Sequence, residues 1–402
     1  MKQLVIIGGG FAGMWAALVA SREAALADAP LSITMVSPDA HLTARPRLYE
    51  PFTEALRAPF APVFAPLGIE LLLGTATAVD TVARSVSVNT KQGAQRSLAY
   101  DRLVLAAGSV QRALNIPGAR EFALDVDTFQ GAAKLDAHLR RVLAAPATDG
   151  ALTFAIIGAG FSGVELATEM RNHIRLLGHV EAAAKARVLL IEMRDVVGPE
   201  LGENPRPHIE AALRETRVET RLGTALSAIE PHAIVLGSGE RIACATVIIT
   251  TGLNAHPLAA TLGAEHDDQG RVVVDSHLRV KGNPEVFAAG DVAHAQADDT
   301  HAALMSCQHA VPMGKHAGYN AARSLLGQAL RDYSQPNYVT CLDLGDFGAL
   351  FTTGWDRQTD KVGPEVKAFK KMINTQWIYP PQGDRAALLA AADLDAPWPP
   401  AA

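Results

Sequence analysis

The sequence contains little cysteine. Its 402 residues include only Cys244, Cys307 and Cys341, and none of them belongs to a Cys-x-x-Cys pair. An odd and sparse set of this kind excludes a disulfide framework and predicts a cytoplasmic protein. The sequence also predicts no metal site.

Basic blocks and long apolar runs are absent as well. Lysine and arginine total 36 against 42 aspartates and glutamates, a formal net charge of -6, so nucleic acid is not an expected partner. Because no run of about 20 apolar residues occurs, we expect no membrane-spanning segment, whereas attachment to the inner face of a membrane stays open. Hydrophobic residues make up 49% of the chain, which is enough for a large packed core.

A glycine-rich pattern occurs twice. Residues 4–13 read LVIIGGGFAG and residues 154–163 read FAIIGAGFSG, and each copy leads from an apolar run into a helical stretch. Two further pairs of apolar strands follow at corresponding places, at 31–36 and 186–192 and again at 102–109 and 245–252. This alternation predicts an α/β fold with parallel sheets, built from two Rossmann-like domains.

The spacing G-x-G-x-x-G gives each glycine a role. The first permits a tight turn, the second lets the backbone approach a pyrophosphate, and the third lets helix and strand pack closely. The helix N-terminus then presents free N–H groups to phosphate. Two copies in matching context therefore predict two dinucleotide sites. The glycines are Gly8, Gly10 and Gly13 in the first copy and Gly158, Gly160 and Gly163 in the second.

The residue after the second strand distinguishes the two sites. Glu192 ends the strand that follows the second copy, where a carboxylate bonds the ribose hydroxyls of NADH and repels the 2′-phosphate of NADPH. Arg194 could weaken this preference for NADH. The first copy has Ser37 at the equivalent place, with Asp39 nearby, and either residue could hold the ribose.

Four segments resemble the FAD-dependent pyridine nucleotide oxidoreductases. Residues 286–293, VFAAGDVA, resemble the strand-plus-Gly-Asp motif of that family, and residues 163–169, GVELATE, resemble its Gly-Val-Glu-Leu-Ala stretch. Residues 41–49 resemble the segment that runs under the flavin, and residues 100–109 the strand that returns beneath FAD. The likeness covers nearly the whole length, and its closest branch is the type II NADH dehydrogenase-like group, with the apoptosis-inducing-factor-like flavoproteins beside it.

The resemblance implies two cofactors and a division of the chain. FAD would bind a discontinuous domain of residues 1–118 and 255–332, and NADH a domain of residues 119–254. Residues 333–402 would form a small α+β region with a hairpin around 345–348 and a helix from 364 to about 376. The further residues predicted to contact the cofactors are Arg45, Ala107, Gly108, Gly252, Gly290 and Asp291.

Glu165 is the predicted catalytic side chain. It lies near the start of the second Rossmann helix, and in the resembled group this glutamate lies near the flavin, where it would position the nicotinamide or handle protons. Disulfide reductases of this superfamily relay electrons through paired cysteines, so the missing pair argues against that activity. Cys307 lies near the expected flavin edge, and we predict a small buried residue there.

The acceptor side departs from the family pattern. Type II NADH dehydrogenases carry Ala-Gln-x-x-x-Gln-Gln along the quinone tunnel, whereas residues 306–314 here read SCQHAVPMG. Gln308 matches the first glutamine, but Pro312 and Met313 replace the pair. We predict Gln308, His309 and Met313 as the acceptor residues. His309 would either titrate near neutral pH or have a structural partner.

The predicted function is an FAD-dependent oxidoreductase that takes hydride from NADH and passes electrons to a quinone or another small acceptor. Two alternatives stay open: a ferredoxin-type reductase of a small redox protein, and a slow-turnover redox sensor that changes its oligomeric state. The helix from residue 364 carries apolar residues at helical spacing with lysines between them. We favour a helix docked on the core over one that lies on an anionic membrane.

Overall fold

The computed structural model describes residues 1–144 and 149–396. Its first part alternates apolar strands with helices, as the sequence predicts. The elements up to residue 118 are β1 Lys2–Ile7, α1 Phe11–Leu26, β2 Leu31–Ser37, β3 His41–Thr43, β4 Arg57–Pro59, α2 Ala61–Leu67, β5 Glu70–Asp80, β6 Ser85–Thr90, β7 Gln95–Ala99, β8 Arg102–Leu105 and β9 Ser109–Gln111.

The second part repeats the order of strand, glycine turn and helix. Its elements are α3 Ala119–Phe122, β10 Leu124–Asp125, α4 Phe129–Ala144, β11 Thr153–Ile157, α5 Phe161–Leu176, α6 Val180–Lys185, β12 Arg187–Ile191, α7 Arg206–Glu215, β13 Val218–Arg221, β14 Leu226–Glu230, β15 Ala233–Leu236, β16 Arg241–Ala243 and β17 Thr246–Ile249.

The last part returns to the first sheet and then forms the C-terminal region. Its elements are β18 Leu253–Ala255, β19 Val272–Val273, β20 Arg279–Val280, β21 Asn283–Ala288, β22 Ala293–His294, α8 Cys307–Leu325, β23 Val339–Asp343, β24 Ala349–Thr353, β25 Gln358–Gly363, α9 Pro364–Met372 with a π-helical turn Ile373–Trp377, and α10 Arg385–Ala391.

The two main sheets are built alike. The first runs in the order β20-β21-β8-β1-β2-β5-β6-β7 and the second in the order β10-β17-β11-β12-β13. β1 lies parallel between β2 and β8, and β11 lies parallel between β12 and β17. The two glycine-turn copies therefore occupy equivalent places, and the predicted α/β fold with two Rossmann-like domains is confirmed. The boundaries after residues 118, 254 and 332 stay a prediction.

Both faces of the second sheet are covered. Along β11, Phe154 and Ile156 enter one buried apolar cluster, whereas Ala155 and Ile157 enter another on the opposite face. Because a parallel sheet carries helices or other layers on both sides, its strands need apolar side chains at every position. This explains why these strands read as continuous apolar runs and not as alternating ones.

The C-terminal region contains more structure than the sequence predicts. β23 and β24 pair antiparallel around the turn at 345–348, so the predicted hairpin is present. The predicted helix is α9 with its π-helical turn, which ends at Trp377. β25, which pairs with β24, and α10 were not predicted. Leu388 of α10 is buried in the core cluster of the first sheet. Residues 397–402 of the predicted region lie outside the described residues.

Two of the three lysines of α9 are turned towards the protein. Lys370 is buried and Lys367 is half-buried, whereas Lys371 is exposed. Phe369 contacts Phe351 of β24, with ring centroids 5.8 Å apart. This arrangement agrees with the favoured interpretation of a helix docked on the core. Among the residues that the structure describes, no helix is long and apolar enough to cross a membrane.

Two glycines let α8 lie against α1. A Cβ atom at Gly314 would lie 2.3 Å from the backbone oxygen of Ala12, and one at Gly318 would lie 2.2 Å from the backbone oxygen of Ala16. Both separations are too short for any side chain, so the helices touch through their backbones. The contact fixes the start of α8 beside the first glycine turn.

We expect Gly314→Ala to lower stability, because the added methyl group must push α8 away from the backbone of α1. The free energy of unfolding should fall by about 1–3 kcal/mol, measured by urea denaturation. Gly237→Ala is the matched control, since its added Cβ would lie 3.4 Å from its nearest neighbour, Ala225 O. Equal stability of both variants would contradict the backbone contact.

Candidate active site

The two glycine turns agree in detail. Gly8 and Gly158 have φ angles of +112° and +107°, which favour glycine. A Cβ at Gly8 would lie 2.1 Å from a backbone oxygen just beyond β8, and one at Gly158 would lie 2.8 Å from a backbone oxygen just beyond β17. At Gly13 and Gly163 a Cβ would lie 1.9 Å from the carbonyl oxygen of the first glycine. Both turns therefore meet the geometric demands predicted for them.

Both turns open into one cavity of about 370 Å³. Gly10 and Phe11 line it from the start of α1, and Phe161 and Ser162 line it from the start of α5. Gly10 and Gly160 cap these helices without a side-chain hydrogen bond, so the first N–H groups of each helix are left for a ligand. A Cβ at Gly10 would meet nothing within 4 Å. At Gly160 a Cβ would lie 2.4 Å from Glu200 Oε1, and Glu200 also lines the cavity. The open approach at Gly10 therefore fits a dinucleotide at the first turn, and the second turn shares its backbone geometry.

Residues at the strand ends and in the Gly-Asp motif form another part of the cavity wall. Gly108 follows β8 and Gly252 follows β17, and both line the cavity together with Gly290 and Asp291. Ala107 precedes Gly108 and is half-buried. These residues lie at the carboxyl edges of the two sheets, where ligands of open α/β sheets bind.

Arg45 lies in a chain of polar contacts at the cavity wall. Its guanidinium pairs with the Asp127 carboxylate and donates to Ser109 Oγ at 3.0 Å. Ser109 Oγ in turn donates to Asp291 Oδ2 at 2.6 Å. Arg45 thus places its charge beside Asp291, at 3.6 Å. The sequence did not indicate Asp291, Asp127 or Ser109 as its partners. The neighbouring Arg47 is buried and bonds Glu50, so it serves the fold.

The two candidates for the first ribose-binding position have different surroundings. Ser37 is 2% exposed, and its hydroxyl donates to the backbone oxygen of Asp39 at 2.7 Å. A Cβ at Gly9 would lie 2.4 Å from Ser37 Oγ, so the serine packs under the glycine turn. The Asp39 side chain is 32% exposed and pairs with His41 and Arg57. Of the two alternatives, the structure favours Asp39 as the ribose ligand.

Glu192 sits at the second glycine turn as predicted. Its carboxylate accepts hydrogen bonds from the backbone N–H groups of Ala159 at 2.9 Å and Arg194 at 3.0 Å. Ala159 stands between the first two glycines of the motif. These bonds hold the negative charge where the ribose of a dinucleotide lies. The side chain of Arg194 is exposed beside it.

Glu165 is not among the described residues that line the cavity. Its side chain is buried in the first part of α5, where its carboxylate pairs with Lys370 of α9. Burial raises the pKa of the Glu165 carboxyl, and the Lys370 charge opposes this. The backbone N–H of Asp343 also donates to Glu165 Oε1 at 3.1 Å. The sequence did not indicate Lys370, because it lies 205 residues away in a segment that reads as a surface helix.

The predicted acceptor residues face away from the cavity. The Gln308 side-chain amide donates to the backbone oxygen of Val339 at 2.6 Å and accepts from the Val339 N–H at 3.2 Å. Met313 is 1% exposed in the core beneath α1. The cavity is lined instead by Met305, Ser306, Cys307 and Ala310. Gln308 and Met313 are therefore not brought to the cavity, because they lie on other faces of α8.

His309 is a structural residue. It is 0% exposed, and its Nδ1 lies 3.0 Å from Ser306 Oγ. Its ring stacks with that of Tyr338 and lies tilted to that of Trp355. Burial lowers its pKa to about 4, and the nearby Arg271 charge adds to the effect. Of the two predicted roles, the burial, the contact with Ser306 and the ring stacking favour the structural one.

Cys307 lines the cavity as a protonated thiol. All three cysteines are free. Burial raises the pKa of the Cys307 thiol to about 11, against the influence of Lys370. A thiol with this pKa carries little thiolate at neutral pH and is a poor nucleophile. The site therefore lacks the chemistry of a dithiol relay.

Comparison with known proteins gives one family and several relatives. The profile of the family described as "Pyridine nucleotide-disulphide oxidoreductase" matches residues 2–314. An NADH dehydrogenase-like protein of Mycobacterium tuberculosis is 43% identical over 396 residues, which cover 98% of each chain. The demethylphylloquinone reductase NdbB of Synechocystis is 27% identical over 358 residues, 87% of this chain and 86% of that protein.

The fold also matches solved structures. NDH2 from Plasmodium falciparum in complex with NADH superposes with a TM-score of 0.78 over 94% of this chain and 95% of that chain, at 14% sequence identity. This likeness shows that the fold is shared.

We expect His309 to weaken the protein in acid. Its pKa is about 4 in the folded chain and about 6.5 in the unfolded chain. The contribution of the neutral His309 to the free energy of unfolding is therefore fully present above about pH 6.5 and is lost as the pH drops towards 4. The loss amounts to about 3 kcal/mol. His309→Phe keeps an aromatic ring in the stack and should remove this loss of stability in acid. The measurement is the free energy of unfolding at about pH 7 and at about pH 4.

The exposed His232 provides the control. His232→Phe should leave the acid loss as it is in the wild type. An identical acid loss in His309→Phe and wild type would contradict the buried neutral state of His309.

Proposed function

Because the chain belongs to the pyridine nucleotide-disulphide oxidoreductase family, we propose that it is an FAD enzyme that oxidises NADH and reduces a quinone. The family and the NADH dehydrogenase-like relatives identify an NADH-dependent oxidoreductase that uses a flavin. FAD as the flavin and a quinone as the acceptor are the proposed refinements. The observation that carries the proposal is the single cavity into which both glycine turns open.

The first turn would hold FAD. The N-terminus of α1 would bind the pyrophosphate, Arg45 would add positive charge, and the Asp291 carboxylate would accept hydrogen bonds from the hydroxyl groups of the ribityl chain. Gly108 leaves room for close approach at the end of β8. When bound, FAD accepts hydride from NADH and releases two electrons to the acceptor.

The second turn would hold NADH. The N-terminus of α5 would bind its pyrophosphate and Glu192 its ribose hydroxyls, while Gly252 would let the nicotinamide approach the cavity. Glu165 does not reach the cavity wall, so we assign it a role in handling protons through Lys370 and not direct contact with the nicotinamide. Its burial beside a single positive charge suits a group that exchanges protons.

Relatives and the thiol chemistry support a quinone as the acceptor. NdbB is named a demethylphylloquinone reductase, and the type II NADH:quinone oxidoreductase NdhA of Mycobacterium tuberculosis is 30% identical over 319 residues, 72% of this chain and 66% of that protein. The protonated, unpaired Cys307 argues against a disulfide substrate. A redox protein and a slow sensing role remain as outcomes of the test.

The test reduces the purified protein anaerobically with NADH and mixes it with a short-chain quinone. We expect prompt bleaching of the flavin band and reoxidation at about 10 s⁻¹ or faster. Mass analysis of the released cofactor should give FAD. Slow reoxidation would contradict a quinone as the electron acceptor and would favour a protein acceptor or a sensing role. Failure of NADH to bleach the flavin band would contradict NADH as the coenzyme.

We expect Glu192→Gln to relax the coenzyme preference. Because Ala159 N–H bonds Oε2 and Arg194 N–H bonds Oε1, the variant keeps an oxygen for one of these two N–H groups. It loses the charge that repels a 2′-phosphate. The ratio of kcat/KM for NADH over NADPH should fall about tenfold. Glu121→Gln, at an exposed glutamate of α3, is the control. A ratio unchanged in Glu192→Gln would remove Glu192 from the ribose site.

A further inference from the structure

The second glycine turn has an acidic neighbour that the first turn lacks. A Cβ at Gly160 would lie 2.4 Å from Glu200 Oε1, whereas a Cβ at Gly10 would meet nothing within 4 Å. Gly160 is the N-cap of α5 and Gly10 is the N-cap of α1, so the two positions are equivalent. The Glu200 carboxylate therefore occupies, at the start of α5, the place that is open at the start of α1.

The Glu200 carboxylate faces the helix without a charged partner of its own. Within the part of the chain that the structure describes, its side chain forms no ion pair and no hydrogen bond, whereas its backbone oxygen accepts a hydrogen bond from Arg357. The first turn of α5 contains no acidic residue. Because the free N–H groups of a helix start attract negative charge, the carboxylate at Gly160 takes the position of an anionic ligand.

The backbone that carries Glu200 is packed against the second glycine turn. Glu200 is the middle residue of a 3₁₀ turn, Pro199–Leu201, which follows Gly198. A Cβ at Gly198 would lie 3.0 Å from the backbone oxygen of Ala159, so the 3₁₀ turn and the glycine turn are in close contact. Leu201 is 2% exposed in the core cluster of the second sheet. This packing fixes the 3₁₀ turn beside the start of α5.

The C-terminal region holds the same turn from the other side. Arg357, which is 7% exposed, donates to the backbone oxygen of Glu200, and its guanidinium lies 5.4 Å from the centre of the Phe161 ring. Glu200 itself is an exposed residue. Its side chain is therefore able to rotate into solvent while its backbone stays in place.

The coenzyme brings its own negative charge to this place. In the proposed function, on which this inference rests, the N-terminus of α5 binds the pyrophosphate of NADH. Like charges a few ångströms apart repel each other, and they do so more strongly beside a protein than in open water. The carboxylate and the pyrophosphate therefore cannot share the start of the helix.

We propose that Glu200 competes with the coenzyme pyrophosphate for the start of α5 and thereby sets the affinity for NADH and NAD⁺. The carboxylate lies at Gly160 in the coenzyme-free protein, turns into solvent when the dinucleotide binds, and returns when NAD⁺ leaves. Glu200 touches no reacting atom and determines affinity only. The open position at Gly10 suits a cofactor that stays bound, whereas the occupied position at Gly160 suits a coenzyme that leaves after every turnover.

The test measures the binding of NAD⁺, ADP and adenosine to the oxidised holoenzyme by calorimetry. NAD⁺ and ADP carry the diphosphate group and adenosine does not. Glu200→Gln removes the charge, and Glu200→Ala removes the whole carboxylate group. In both variants NAD⁺ and ADP should bind about tenfold more tightly than in the wild type, whereas adenosine should bind with unchanged affinity.

Steady-state kinetics gives a second measurement. The KM for NADH should fall in Glu200→Gln by about the same factor, without a rise in kcat, because the change acts on coenzyme binding and not on hydride transfer. Glu203→Gln is the matched control, since Glu203 is exposed three residues further along and is not among the described residues that line the cavity. It should keep the wild-type affinities for all three ligands.

Three results would contradict the inference. Weaker binding of NAD⁺ in Glu200→Gln would make Glu200 a ligand of the coenzyme, and unchanged affinities in both variants would mean that the carboxylate does not compete. Tighter binding in Glu200→Ala alone would assign the effect to the bulk of the side chain and not to its charge.

The failure of the proposed function has a different signature. If neither the wild type nor the two Glu200 variants bind NAD⁺ or ADP, the coenzyme site at α5 fails and this inference fails with it. Both variants keep the backbone oxygen that Arg357 binds and remove no hydrogen bond of the described side chains, so we expect both to fold.

Discussion

The first glycine of each turn touches a backbone oxygen at the end of a neighbouring strand, and the position of both cofactor sites depends on this contact. At Gly8 and Gly158 the space for a Cβ is filled by backbone that belongs to the ends of β8 and β17. Each helix therefore begins directly over the carboxyl edge of its sheet. The residues just past those strands, Gly108 and Gly252, are brought to the same cavity as the helix starts.

A second constraint acts from the C-terminal region. Glu165 is too deeply buried to remain charged without a partner, and its partner comes from α9. A buried ion pair with one member removed leaves an uncompensated charge, which is strongly destabilising. The hairpin and α9 are therefore part of the active-site architecture, because they complete the wall behind the start of α5.

The sequence predicted what depends on local pattern. Parallel sheets and both glycine turns follow from spacing, Glu192 from its place after a strand, and Arg45 and Asp291 from the family resemblance. The structure brings Arg45 and Asp291 to the cavity and Glu192 to the second turn. Lys370 and Asp127 were missed because their partners are distant in sequence, and a lysine at helical spacing reads as a solvated residue.

The acceptor residues show a different limit. Gln308 and Met313 were inferred from alignment with a family pattern, but the faces of a helix repeat every 3.6 residues. Cys307 and Ala310, three residues apart, face the cavity, and the neighbouring Gln308 turns towards Val339. A family pattern identified the helix that reaches the site, and only the packing of α8 on α1 fixed which of its faces does so.

The pairing of α5 with α9 restricts how this chain can change over evolution. Glu165 and Lys370 are 205 residues apart in the sequence, yet neither can be exchanged for a neutral residue without leaving the other charge unpaired. A hybrid that joins the second domain of one relative to the C-terminal region of another would work only if both halves came with matching charges. Recombination within the family is therefore expected to preserve α5 and α9 as one inherited unit.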